Sequence, residues 1–228
     1  MIARKKEFSL GLGLLVAFFV VLVIFFSPVF NGHNGLDYLD SLYNSISKGS
    51  AYYIPKLKED AKAFNGSAVE MNFSMASPAQ AQQTAQLFMK SGAMVNVSEA
   101  KLKVSGDLGK ILENCLADSD ALYKNDGKGL TAKYGYNERQ ALYNWWQAFK
   151  GAEKDLNSQK KFKEAKSLAN ISKKGIEACY NYYQIEPQSI MDRLGVVIFS
   201  LVFYVIYTLW YGFAIMFMFE GWGMQLEH

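Results

Sequence analysis

The chain has 228 residues, with 24 Lys and Arg against 21 Asp and Glu, so its formal charge is only +3. Mixed charges without a basic stripe exclude a nucleic-acid surface. The scarcity of histidine and cysteine removes the usual ligands of a metal or haem centre, and no cofactor is expected.

Arg4, Lys5 and Lys6 precede an uncharged apolar run, Phe8 to Phe30, long enough to cross a hydrocarbon core of about 30 Å. Positive-inside bias places residues 1–7 in the cytoplasm. The run is longer than a signal-peptide core and ends in Ser27-Pro28-Val29-Phe30, with no small-residue cleavage site, so it reads as a retained anchor. Within it Ser9, Gly13 and Ala17 recur every four residues, a face suited to close helix packing.

Residues 31–190 are then expected outside, beginning at the turn-rich Asn31–Gly35. Leu36, Leu39, Leu42 and Ile46 mark a helix, and Pro55 opens a second. Alternation over Ala68–Met75 predicts a strand, Ser77-Pro78 a helix start, and Met94–Val104 a second extended stretch with a turn near Ser98. Strand, helix and strand with short links suggest a small βαβ-like unit. Beyond it the chain reads as helical. Leu108, Ile111, Leu112, Cys115, Leu116 and Leu122 share one face. Ala141, Leu142, Trp145, Ala148 and Phe149 share another, and a last helix spans about 153–184.

Ser105-Gly106-Asp107-Leu108-Gly109-Lys110 lacks the spacing of a phosphate loop and reads as a strand-to-helix turn. Asp118, Asp120 and Asp126 miss the calcium-loop spacing and read as a solvated helix end. Cys115 and Cys179 form a disulfide if the domain is extracytoplasmic, or pack as two buried thiols. Trp145 and Trp146 cannot both face one core from one helix, so one of them meets a partner, a lipid or a second packing surface. The basic stretch Lys160, Lys161, Lys163, Lys166, Lys173 and Lys174 is either a solvated face or a contact for an anionic lipid or partner.

A second apolar run, Leu194 to Phe219, returns the chain to a cytoplasmic segment, 220–228, whose Leu226-Glu227-His228 resembles a tag remnant. Ser200, Tyr204, Tyr207 and Tyr211 share a face that should meet another helix or water.

The expected class is an α+β membrane protein of the bacterial inner membrane. Two transmembrane helices (8–30 and 191–219) flank a mostly helical extracytoplasmic domain with the βαβ-like unit. The expected function is non-enzymatic. The outer domain would bind a partner or ligand, and the chain would sit among membrane lipids as a homo-oligomer or as a subunit of an envelope complex. An oligomeric channel with the tyrosine face near its pore is the alternative.

Overall fold

The computed structural model describes residues 2–29 and 32–224, so Asn31 and the tag-like Leu226–His228 lie outside it. In chain order its elements are α1 (Lys5–Phe26), α2 (Gly35–Ser50), α3 (Ile54–Ala61), β1 (Ala68–Ser74), α4 (Pro78–Lys90), β2 (Met94–Ser98), β3 (Lys101–Asp107), α5 (Leu108–Tyr123), α6 (Gly127–Tyr134), α7 (Glu138–Ser158), α8 (Phe162–Ile171), α9 (Ala178–Asn181) and α10 (Leu194–Gly221). The fold is a mostly helical α+β arrangement with one small sheet. It divides into two compact units: residues 50–186, and the chain on either side of them. The division leaves α2 with the apolar helices rather than with the outer domain, which the sequence reading had begun at residue 31.

In the terminal unit, α1 and α10 are each long and apolar enough to cross a membrane. They run antiparallel, tied end to end where the Ala3 and Arg4 amides donate to the Gly221 carbonyl at 2.9 and 3.0 Å. Their seam follows a spacing of three and four. Gly11, Leu14, Phe18, Val21 and Phe25 turn inward from α1, and Ser200, Phe203, Tyr207, Trp210 and Ala214 from α10. This is the 3.5-residue period of a left-handed helix pair. Phe18 stacks on Tyr207 at 4.3 Å, and Phe25 on Phe203 at 6.1 Å. The Trp210 indole N–H, otherwise stranded on an apolar surface, donates to the Leu14 carbonyl at 3.1 Å. Gly11 and Gly221 are the closest approaches. A Cβ on Gly11 would lie 2.6 Å from the Met218 nitrogen, and one on Gly221 2.5 Å from the Phe8 Cβ.

Ser9, Gly13 and Ala17 are all exposed, and a Cβ on Gly13 would meet nothing within 4 Å. A four-residue repeat drifts around a helix faster than the 3.5-residue seam, so the small residues that carry the contact are others. On α10, Ser200 is buried and bonded to the Tyr43 hydroxyl of α2 at 2.6 Å, and Tyr207 lies in the seam. Tyr211 flanks the seam 5.1 Å from Phe18, whereas Tyr204 is 67% exposed.

In the unit formed by residues 50–186, the three strands lie in the order β1-β3-β2. β3 pairs antiparallel with both neighbours, Met71 opposite Val104 on one side and Val95 opposite Val104 on the other. The extended stretch over 94–104, expected to turn near Ser98, is a hairpin of β2 and β3 that turns at Glu99 in the left-handed region (φ 54°). β1 and β2 run parallel through the α4 crossover, with β3 inserted between them, so the βαβ-like unit is a split one. Val69, Met71, Phe73, Leu102 and Val104 form the buried face of the sheet. Gly151 lets α7 lie against β1, since a Cβ there would come within 2.7 Å of the Phe73 Cβ. The outer edge of β1 is occupied by α7: the Asn72 N–H donates to Asp155 at 2.8 Å, and Gln159 donates to the Glu70 carbonyl at 3.0 Å.

Helix starts are well signalled. Ser77, Asp107, Asp126 and Asn137 each accept a backbone N–H of the first turn. The expected helix over 153–184 is in fact broken. α7 stops at Ser158, and α8 begins after three intervening residues. A π-helical turn, Ser172–Glu177, then separates α8 from α9.

The seam makes a discriminating prediction. Gly11→Ile should force α1 and α10 apart and cost roughly 1–3 kcal/mol, while Gly13→Ile should leave thermal stability in detergent unchanged. Equal effects at the two positions would refute the seam.

Candidate functional site

Two features of the unit formed by residues 50–186 hold the aromatic and polar side chains that the sequence left unassigned. The first is a buried polar network around Asp118, on the same face of α5 as Ile111, Cys115 and Leu122. Its side chain is 1% exposed. One carboxylate oxygen accepts from the Tyr134 hydroxyl at 2.5 Å and the Trp145 indole at 2.8 Å, and the other from Lys133 at 2.6 Å. Lys133 also donates to Asn114 at 2.6 Å, and Asn114 donates to the Leu87 carbonyl at 3.1 Å. The solvated helix end expected for Asp118 is therefore wrong. The position falls three residues after Cys115 and four before Leu122, so its place in the apolar stripe was the missed signal. Asp120 is half-buried, its side chain 13% exposed beneath Tyr52, Lys58 and Lys124, which all donate to it. Burial pushes its pKa up, but the hydrogen bonds from these three donors win and hold it below the usual carboxylate value.

This network is closed and satisfied. It links α4, α5, α6 and α7 and has the character of a structural clamp. Among the described residues, no three His, Cys, Asp or Glu side chains are grouped to hold a metal ion. Cys115 and Cys179 are both buried and not bridged, the second of the two arrangements expected for them. Burial, then the nearby Asp118 charge, raises the Cys115 thiol well above its ordinary value, which makes it a poor nucleophile.

The second feature is an aromatic groove of about 240 Å³ between α7 and the π-helical turn, lined by Leu142, Tyr143, Trp146, Ile176, Glu177, Tyr180 and Asn181. Its formation follows from the neighbouring pair of tryptophans. Adjacent residues on a helix diverge by about 100°. Trp145 is fully buried, T-shaped against Phe88 at 5.0 Å and Phe149 at 5.4 Å. Trp146 is thereby turned to the rim, partly exposed.

Each ring of the groove is held in place. Tyr143 lies 5.9 Å from Trp146 and accepts from Gln147 at 2.8 Å. Lys150 sits over the Trp146 ring at 4.0 Å, and Arg139 over Tyr180 at 5.7 Å. The wider π turn presents Ile176 and Glu177, and α9 adds Tyr180, as the opposite wall; such turns concentrate at functional positions.

The terminal unit holds apolar cavities of about 430 and 270 Å³, both walled by Val21, Phe25, Leu39, Ser200 and Phe203. Their lining carries almost no polar group that could orient a ligand. No protein-family model, curated protein or solved structure matches the chain.

Removing the Asp118 carboxylate should unfold the unit of residues 50–186 more readily than any surface change. Asp118→Ala leaves three donors without their acceptor and should cost roughly 3–5 kcal/mol in denaturant unfolding; a cost below 1 kcal/mol would show that the clamp is dispensable. High pH attacks the same region. Burial pushes Tyr123 and Tyr136 up to about 12 and, joined by the Asp118 charge, raises Tyr134 as well. A folded value above the unfolded value of about 10 means stability fully present below pH 10 and lost as pH rises through the folded value. Phenolate absorbance should therefore show a late phase near pH 12 that coincides with loss of the folded domain. A single phase near pH 10 with the domain intact would contradict this.

Proposed function

We propose that the chain is a non-enzymatic membrane protein that crosses the bilayer twice. Its residues 50–186 would be held on the extracytoplasmic side as a docking module, and the aromatic groove would be the contact for a partner protein. The groove beside Trp146 is the observation that carries this reading. At about 240 Å³ it is smaller than the roughly 300–1,000 Å³ of sites for drug-sized ligands. It suits one large apolar side chain of a partner, received by rings already fixed in position. Such pockets, rimmed by Lys, Arg and Gln, are where binding energy concentrates in protein interfaces. The crossing itself is supported by the length and apolar character of α1 and α10, and the orientation by Arg4, Lys5 and Lys6. An envelope complex or a homo-oligomer would supply the partner.

The channel reading has weaker support. Tyr207 and Tyr211 lie against Phe18, where they serve helix packing within one chain.

Two measurements in cells test the proposal. A membrane-impermeant thiol reagent should label Lys90→Cys in intact cells but Ala3→Cys only after permeabilisation; both positions are exposed, and the native cysteines are buried. The reverse pattern would overturn the orientation. A photo-crosslinking amino acid at Asn181 on the groove rim should capture one discrete protein, and the same group at Lys110 should not. Trp146→Ala should weaken that capture roughly thirtyfold, the effect of an interface hot spot. Capture that is indifferent to Trp146 would sink the docking role of the groove.

A further inference from the structure

The junction between α7 and α8 departs from what a stable fold would choose, several times within four residues. α7 ends in a Schellman closure: the Lys161 N–H donates to the Leu156 carbonyl at 2.9 Å and the Lys160 N–H to the Asn157 carbonyl at 3.0 Å. The left-handed residue of that closure is normally glycine, yet it is Lys160 (φ 62°). The next residue, Lys161, occupies the N-cap of α8 without a side-chain cap bond, whereas α4, α5, α6 and α7 are capped by Ser, Asp or Asn. Lys161 and Lys163 then put cations at the positive end of the α8 dipole, the unfavourable arrangement, with Glu164 the one acidic side chain in that first turn.

Between them stands Phe162, 63% exposed and the most exposed aromatic ring among the described residues of its unit. Lys166 follows one turn later on the side of α8 that bears Phe162. The buried stripe of the helix, Ala165, Leu168 and Ile171, faces the other way. None of Lys160, Lys161, Lys163 and Lys166 has a carboxylate at ion-pair distance among the described residues.

Each of these choices costs stability, and together they leave a lone aromatic ring ringed by four unneutralised ammonium groups. Places where local rules fail together are where function is expected. We propose that this patch, Lys160-Lys161-Phe162-Lys163 with Lys166, docks onto the surface of an anionic lipid bilayer. The ring would enter the boundary between headgroups and acyl chains, and the lysines would pair with lipid phosphates. The charge complementarity is direct, since anionic headgroups supply the partner that the protein denies these lysines. The layering matches as well. An amphipathic helix face with a ring at its centre and long basic side chains around it lies in the plane of such a surface. An acidic protein would satisfy the lysines but would leave the exposed ring unexplained. The proposal requires neither the groove nor a particular membrane orientation of the chain.

The test uses the full chain held in a nanodisc of neutral phosphatidylcholine, so that its own lipids supply no charge. Fluorescent vesicles are added, made either of phosphatidylcholine alone or with three parts in ten of phosphatidylglycerol, and co-flotation is measured. The expected result is recruitment of the anionic vesicles only, lost as salt is raised. Phe162→Ser should weaken recruitment roughly tenfold, the effect of withdrawing one buried ring. Each Lys→Gln change in the patch should weaken it about fivefold. Because Phe162 and these lysines are surface residues, their variants should unfold at the wild-type temperature, and Lys90→Gln with Lys110→Gln should bind like wild type. Three outcomes would overturn the proposal. One is equal binding to neutral vesicles, and another is undiminished binding by the patch variants. The third is lysine-dependent binding to polyglutamate with no contribution from Phe162, which would reassign the patch to an acidic protein.

Discussion

Asp118 places a carboxylate where solvent does not reach, and the unit formed by residues 50–186 is organised by the donors that must reach it. Lys133 and Tyr134 arrive from α6 and Trp145 from α7, so the two helices that follow α5 acquire fixed rotations about their axes. A purely apolar contact would permit either helix to turn by some tens of degrees at little cost, because dispersion and area burial carry no direction. Hydrogen bonds to one carboxylate do not permit it. Asn114 extends the constraint to α4 through the Leu87 carbonyl.

That fixed rotation has an effect on the other side of α7. With the Trp145 indole bound inward, the next side chain has to emerge at the rim, and Tyr143 and Trp146 become one wall of the groove. The opposite wall depends on a second local irregularity. If Ser172–Glu177 wound as an ordinary α-helix, the residues after it would be displaced around the axis, and Ile176, Glu177 and Tyr180 would not converge on Trp146. The groove is thus made by a clamp on one helix and an enlarged turn on another, while Gln147, Lys150 and Arg139 keep its rings from collapsing into it.

Much of this was legible in the sequence where a short-range rule acts alone. The apolar runs marked α1 and α10 to within a few residues at most of their ends, and Ser77, Asp107 and the alternation over Ala68–Met75 located α4, α5 and β1. Trp145 and Trp146 were recognised as a pair that one core cannot accept. What stayed hidden depended on neighbours distant in sequence. Ser9, Gly13 and Ala17 have the right chemistry for helix contact, but the α10 surface selects the 3.5-residue period through Gly11 and Phe18 instead. Asp118 looked like a helix end because its donors lie on other helices. The break between α7 and α8 carried no glycine or proline to announce it, Lys160 having taken the left-handed position. The turn between β2 and β3, by contrast, was expected near Ser98 and falls one residue on, at Glu99, although no glycine marks it.

The contact of α7 with the edge of β1 also bears on what the sheet can become. A bare edge strand invites another extended chain, which would satisfy its outward N–H and C=O groups in alternation. Asp155 and Gln159 already supply that pattern, one accepting from Asn72 and the other donating to Glu70. Two side chains of a helix thereby imitate a fourth strand and end the ladder on that side. The sheet's β1 edge is blunted at its middle, and a foreign β-segment would find its freer edge along β2.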